Sequence, residues 1–203
     1  MYSRKTFFLV GIILLLAVAG CATYKRGKID VLSSPDDYAC RCTAQGVSVA
    51  ADPYDSTEKA KQGFYVDVTK ESFYPVQLIV WNDTSERILV LREESQLIDA
   101  SNNIYRPVRS TVMADASEHN KMAYALLGFG IFSYMSAEEA NRKMASDWRE
   151  KELPDQLIIP AGRKMNGFLY FQLPEGQTTK GCKLRLEAEK IETREKIPLE
   201  LLL

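Results

Sequence analysis

The 203-residue sequence contains little of what most catalytic and metal-binding sites are built from. Its one histidine, His119, excludes a site with several histidine ligands from the same chain. Gly128 and Gly130 lie in an apolar run without the spacing of a phosphate-binding loop. The net charge of −1 gives no basic excess, so no nucleic-acid partner is indicated. The sequence therefore predicts no cofactor, no metal site and no catalytic residues, and we expect a protein that is not an enzyme.

The first 20 residues have the three parts of a secretory signal. Arg4 and Lys5 are basic, Phe7 to Val18 is an apolar core, and Ala19 and Gly20 are small. The core is well short of the roughly 20 apolar residues that a helix needs to span a bilayer. We therefore expect cleavage between Gly20 and Cys21 rather than an uncleaved membrane anchor.

The residues around this cleavage site also indicate lipid attachment. Val18-Ala19-Gly20-Cys21 resembles the lipobox of bacterial lipoproteins, in which the cysteine thiol receives a diacylglyceryl group. The resemblance implies acyl chains such as palmitate on Cys21 and attachment to a membrane through them. Ala22 follows the cysteine, and by the same resemblance it implies the outer membrane rather than retention in the inner membrane.

Cleavage would leave 183 residues with a net charge of −3. Residues 22–38 lack a regular apolar pattern, so residues 21–38 are interpreted as the lipidated cysteine and a tether. Residues 39–203 then form one domain.

Three further cysteines remain in that domain, in a compartment that permits disulfides. Cys40 and Cys42 are two residues apart and poorly placed to bond each other, so one of them is expected to pair with Cys182. The alternative is three unpaired thiols.

The domain is predicted to be mainly β. Short stretches alternate between apolar and polar residues and are separated by turn residues. Val76, Leu78 and Val80 should face one side of a strand, with Gln77, Ile79 and Trp81 on the other. Other predicted strands lie at 46–51, 64–68, 87–92, 95–99, 104–108, 156–159, 167–172, 182–188 and 197–203. Eight to ten such strands favour an antiparallel, immunoglobulin-like β-sandwich, with a β-barrel as the alternative.

A helical insertion at about residues 113–153 interrupts the strands. Met122 to Ala137 is a run of 16 uncharged residues, and Ser136 to Glu139 fits a capping box that would start a second helix. Ala140, Met144 and Trp148 form an apolar stripe, and Pro154 should stop the helix. The hairpin could cover an open face of the sandwich, insert into a bilayer, or contact a protein. The candidate interaction surface comprises Leu126, Leu127, Phe129, Ile131, Phe132 and Tyr134.

Three segments resemble uncharacterised bacterial lipoproteins that carry anchored sandwich domains, namely GVSVAADPY (46–54), PVQLIVWN (75–82) and PAGRKMNGFLYF (160–171). The resemblance implies a fold and a place in the envelope, without an activity. We therefore expect an interaction or assembly module in the periplasm or at the cell surface, with an envelope protein as partner. The alternative is a glycan- or small-ligand-binding lipoprotein that uses the aromatic residues Trp81, Tyr105, Phe168, Tyr170 and Phe171.

Replacement of the lipobox cysteine tests the anchor. Cys21→Ala should abolish incorporation of labelled palmitate, because it removes the thiol at the lipobox position that receives the diacylglyceryl group. Cys42→Ala is the matched control and should label like the natural chain. Persistent labelling of Cys21→Ala would show that the lipobox interpretation is wrong.

Overall fold

A computed structural model describes residues 24–119 and 130–203 and confirms an antiparallel, mainly β fold of two sheets. The ten strands of the described residues are β1 Cys40–Ala44, β2 Val47–Pro53, β3 Phe73–Asn82, β4 Ile88–Leu91, β5 Gln96–Ile98, β6 Ile104–Tyr105, β7 Gln156–Ile159, β8 Arg163–Gln172, β9 Lys183–Lys190 and β10 Lys196–Leu202. The first sheet has the order β1-β2-β3-β8 and is called sheet A. The second, sheet B, contains the other six strands.

Sheet B is built around β9. One side of β9 pairs along its length with β10. The other side pairs with β5 near its start and with β4 near its end, so β4 and β5 occupy the same position in the sheet, one after the other. A 3₁₀ turn at Arg92–Glu94 separates them. β7 and β6 complete the sheet beside β4 and β5, so the sandwich has four strand positions in each sheet.

The space between the sheets holds the main hydrophobic core. Val76, Leu78 and Val80 of β3 face inward, as their alternation predicts, and pack toward residues such as Leu184 and Leu186 of β9. All of these side chains are buried. Full burial of one such side chain contributes about 1.5–3 kcal/mol. Burial of these alternating residues is therefore the main contribution to the packing of sheet A on sheet B.

The described residues form three helices outside the sheets: α1 Thr57–Phe64, α2 Ser110–His119 and α3 Gly130–Lys151. They cover half of the outer face of sheet A, where a second core joins α1, α2, α3 and β8. Phe64 is at its centre, with ring centroids 5.0 Å from Phe168 and 6.2 Å from Trp148. Met144 and Trp148 of the predicted stripe are buried here, whereas Ala140 is half-buried, so the C-terminal part of α3 covers sheet A. Within residues 24–119 and 130–203, no helix is both long enough and apolar enough to span a membrane.

Two predicted elements differ from the structure. Phe64 to Val68 is not a strand, because Phe64 ends α1, Tyr65 closes that helix with a left-handed φ of 67°, and Val68 begins a 3₁₀ turn. The alternation reflects the burial of Phe64 and Val68 from two different helical elements. The capping box at Ser136 does not begin a helix either, because α3 already runs from Gly130.

The disulfide of Cys40 or Cys42 with Cys182 is not formed in the structure, where all three cysteines are free thiols. Cys40 and Cys42 share a face of β1 and pack against the core. The sulfur of Cys182 is 3.5 Å from the carbonyl oxygen of Thr178. Burial raises the pKa of each thiol, so these side chains act as small apolar residues at one side of the sandwich.

Truncation of Trp148 tests the covering role of α3. Trp148→Ala should lower the free energy of unfolding by about 3–5 kcal/mol, the usual cost of emptying a buried aromatic site. Urea unfolding of a chain that begins at Ala22 measures this change. Arg142→Ala, on the exposed side of the same helix, should shift it by less than about 0.5 kcal/mol. Equal effects of the two substitutions would contradict packing of α3 on sheet A.

Candidate functional site

The predicted tether is not a free linker. Residues 24–38, here called the docked segment, lie against the outer side of sheet A and its helices. The amide of Lys28 donates to the carbonyl oxygen of Gln62 at 2.9 Å. Gly27 approaches α1 so closely that a Cβ there would lie 2.1 Å from the carbonyl oxygen of Gly63. Only glycine fits at this contact, which explains its place in an otherwise polar stretch.

The carboxylate of Asp147 on α3 holds the start of the docked segment. The hydroxyl of Tyr24 donates to Oδ2 of Asp147 at 2.5 Å. Nε of Arg26 lies 2.8 Å from Oδ1, an ion pair without good hydrogen-bond alignment. Lys151, one turn further along α3, donates from Nζ to Oδ2 at 2.5 Å and to the carbonyl oxygen of Gly63 at 2.7 Å. One carboxylate thus joins the docked segment, α3 and, through Lys151, the end of α1.

Burial makes this cluster sensitive to the loss of any member. Asp147 is 3% exposed, whereas Arg26 is mostly exposed and also pairs with Glu150. Burial raises the pKa of Tyr24 well above its usual range, and the hydrogen bond to Asp147 raises it further. Burial lowers the pKa of Lys151, and its contact with Asp147 opposes that shift. Tyr24 therefore remains a hydrogen-bond donor at every physiological pH.

The second half of the docked segment covers the rest of the outer face of sheet A. Tyr38 is buried against Trp81, with ring centroids 6.0 Å apart, and its hydroxyl accepts from the amide of Leu32. Lys164 of β8 donates to the carbonyl oxygen of Leu32 at 3.1 Å. A shallow groove of about 200 Å³ remains between Val31 and β8, floored by Ile79.

A second charged cluster fixes the base of the helical insertion. Arg92 is buried in the turn between β4 and β5 and donates from Nη2 to Asp155 at 3.0 Å. Its Nη1 lies 3.3 Å from Oε1 of Glu152, just beyond α3. The hydroxyl of Ser110, the first residue of α2, donates to Glu152 at 2.5 Å. Both ends of the insertion are thus tied to sheet B at one point.

The structure covers only part of the predicted site. Gly20 and Cys21, together with Leu126, Leu127 and Phe129, lie outside the described residues. Ile131, Phe132 and Tyr134 belong to α3, where the structure describes their backbone and not their side chains.

The sequence patterns did not predict the cluster at Asp147. One signal was present, since Asp147 and Lys151 are four residues apart and flank Trp148 on the apolar side of α3. Nothing local in the sequence connects them to Tyr24, which lies 123 residues away.

A double-mutant cycle tests the contact between Tyr24 and Asp147. Tyr24→Phe should lower the free energy of unfolding by about 1.5–3 kcal/mol, because a partly buried hydrogen bond to a charged group is lost. In an Asp147→Asn background the same change should cost much less. Urea unfolding measures all four chains, and Tyr65→Phe is the exposed control. Additive effects would show that the two side chains are not coupled.

No protein-family model and no curated protein matches this chain. Four chains of solved structures match this chain, and two of them are as follows. The yjhA protein of Bacillus subtilis is 12% identical, with 79% of this chain and 95% of that chain covered and a TM-score of 0.39. The putative ApaA protein of Bordetella pertussis is 11% identical, with 77% and 91% covered and a TM-score of 0.35. Likeness at this level carries no argument about function, so the function is proposed from the chain itself.

Proposed function

We propose that this chain is a lipid-anchored protein of the bacterial cell envelope that acts as a non-enzymatic interaction or assembly module. The observation that carries the proposal is the sequence Val18-Ala19-Gly20-Cys21, followed three residues later by Tyr24, which is already bound to the domain. A signal that ends in a lipidated cysteine and runs directly into a folded domain is the arrangement of a membrane-attached module. Ala22 supports placement at the outer membrane.

The buried charged residues support a structural rather than a chemical role for the domain. Asp147 binds the docked segment to α3, and Arg92 binds the insertion to sheet B. Each therefore holds two or more elements in place. Buried ion pairs are weak evidence for added stability, so the role proposed for these two is to fix the geometry of the elements that they join.

The helical insertion is the proposed contact surface for a protein partner. α3 has 22 residues and is therefore about 33 Å long. Its described contacts with sheet A, at Met144 and Trp148, lie in its C-terminal third. The cluster at Arg92 fixes that end of the helix, so the rest of the insertion extends from a point that is held against sheet B. The apolar residues Leu126, Leu127, Phe129, Ile131, Phe132 and Tyr134 would then supply the contact.

The alternative, a glycan-binding lipoprotein, has less support. Of its proposed aromatic residues, Trp81, Phe168, Tyr170 and Phe171 are buried, and Tyr105 is half-buried. A flat aromatic platform needs an exposed ring face. A small-ligand function would have to use the shallow groove at Val31 and Ile79 instead.

Site-specific photocross-linking in living cells tests the interaction role. A photoreactive amino acid in place of Leu127 or Ile131 should give one discrete cross-linked protein band, because a specific partner contacts the insertion. The same amino acid in place of Arg185, on the exposed face of sheet B, is the control and should give none. If neither insertion position cross-links to protein, or if Arg185 gives the same products, the interaction role is wrong.

A further inference from the structure

The short distance between the lipidation site and the domain limits how far the domain can lie from the membrane. Cys21 and Tyr24 are three residues apart, so even a fully extended chain separates their Cα atoms by only about 11 Å. Tyr24 is held by Asp147, and its ring lies edge-on to Tyr65 with centroids 5.4 Å apart. An acylated Cys21 would therefore bring this part of the domain to the headgroup layer.

The surface at this point has residues suited to that layer. Tyr65 is 45% exposed although it is a large aromatic residue at the end of α1. Lys61 is exposed one turn earlier on α1, and Lys25 is exposed beside Tyr24. Tyrosine and lysine are amphipathic, with an apolar body and a polar end, and they favour the interface between lipid and water. We call Tyr24, Lys25, Lys61 and Tyr65 the seat surface.

The charges around the seat surface are mixed but leave two lysines available. Arg26 is paired with Asp147 and Glu150, and Lys28 lies 3.1 Å from Asp30. Within the described residues, Lys25 and Lys61 form no ion pair, so both ammonium groups are free to meet anionic headgroups. Glu58 and Asp30, both exposed, and the half-buried Asp67 are acidic groups nearby in sequence that oppose them.

We propose that the seat surface lies against the phospholipid headgroups, so that the domain rests on the membrane in one orientation instead of swinging on a tether. The proposal depends on lipidation of Cys21. It identifies the membrane itself as the partner of the face formed by α1 and the docked segment. Sheet B, on the other side of the sandwich, then faces away from the bilayer. A helix layer and two packed sheets place Arg185 about 20 Å from the seat surface.

Cross-linking to lipid tests this orientation in the full-length protein. The chain is reconstituted into vesicles of phosphatidylethanolamine and phosphatidylglycerol that contain a traceable phospholipid. Benzoylphenylalanine in place of Tyr65 should cross-link to the phospholipid, whereas benzoylphenylalanine in place of Arg185 should not. Reversal of the two free charges, Lys25→Glu with Lys61→Glu, should reduce the yield at position 65 several-fold while the protein stays in the vesicles.

The outcomes separate the seat surface from the anchor. Mass spectrometry of the same sample reports the acyl chains on Cys21. If the acyl chains are present and positions 65 and 185 cross-link equally, or neither does, the seat surface is wrong and the anchor stands. If the acyl chains are absent, both proposals are overturned. A cross-link from position 65 to protein instead of lipid would show that this face binds a protein partner.

Discussion

The buried carboxylate of Asp147 is the contact on which the arrangement of the outer layer depends. A carboxylate that is almost fully buried is strongly unfavourable unless nearby donors and cations compensate its charge. Tyr24 and Arg26 supply that compensation from the docked segment, and Lys151 supplies it from the same helix. The docked segment is therefore needed by the domain, because its release would leave Asp147 with Lys151 alone.

This requirement follows from how the sandwich buries its sheets. The inner faces of sheets A and B cover each other, and the outer face of sheet B meets water through charged pairs such as Lys183 with Glu200. The outer face of sheet A is instead buried along β3, where it carries Phe73, Ile79 and Trp81 and one buried polar residue, Gln77. The helices cover one half of this face and the docked segment covers the other, so the insertion and the N-terminal residues complete one layer.

The sequence predicted the strands well because their apolar residues alternate on a two-residue period, as in β3 and β9. It failed where burial came from different elements, at Phe64 to Val68, and where a local motif lay inside a longer helix, at Ser136. The docked segment could not be predicted from residues 22–38, because its partners are spread along the chain from Gln62 to Lys164 and its polar composition resembles that of a linker. Long-range pairing of a charge with a phenol leaves no periodic signal.

Hydrogen exchange at the amide of Lys28 tests the central claim most directly. This amide is hydrogen-bonded to Gln62 when the segment is docked and open to water when it is not. If the segment is docked, the hydrogen bond to Gln62 should slow exchange at least about a hundredfold relative to an unstructured peptide, as a local opening free energy of a few kcal/mol requires. Exchange at the unstructured rate, while the amides of β3 stay protected, would contradict docking and show that residues 24–38 are a free tether.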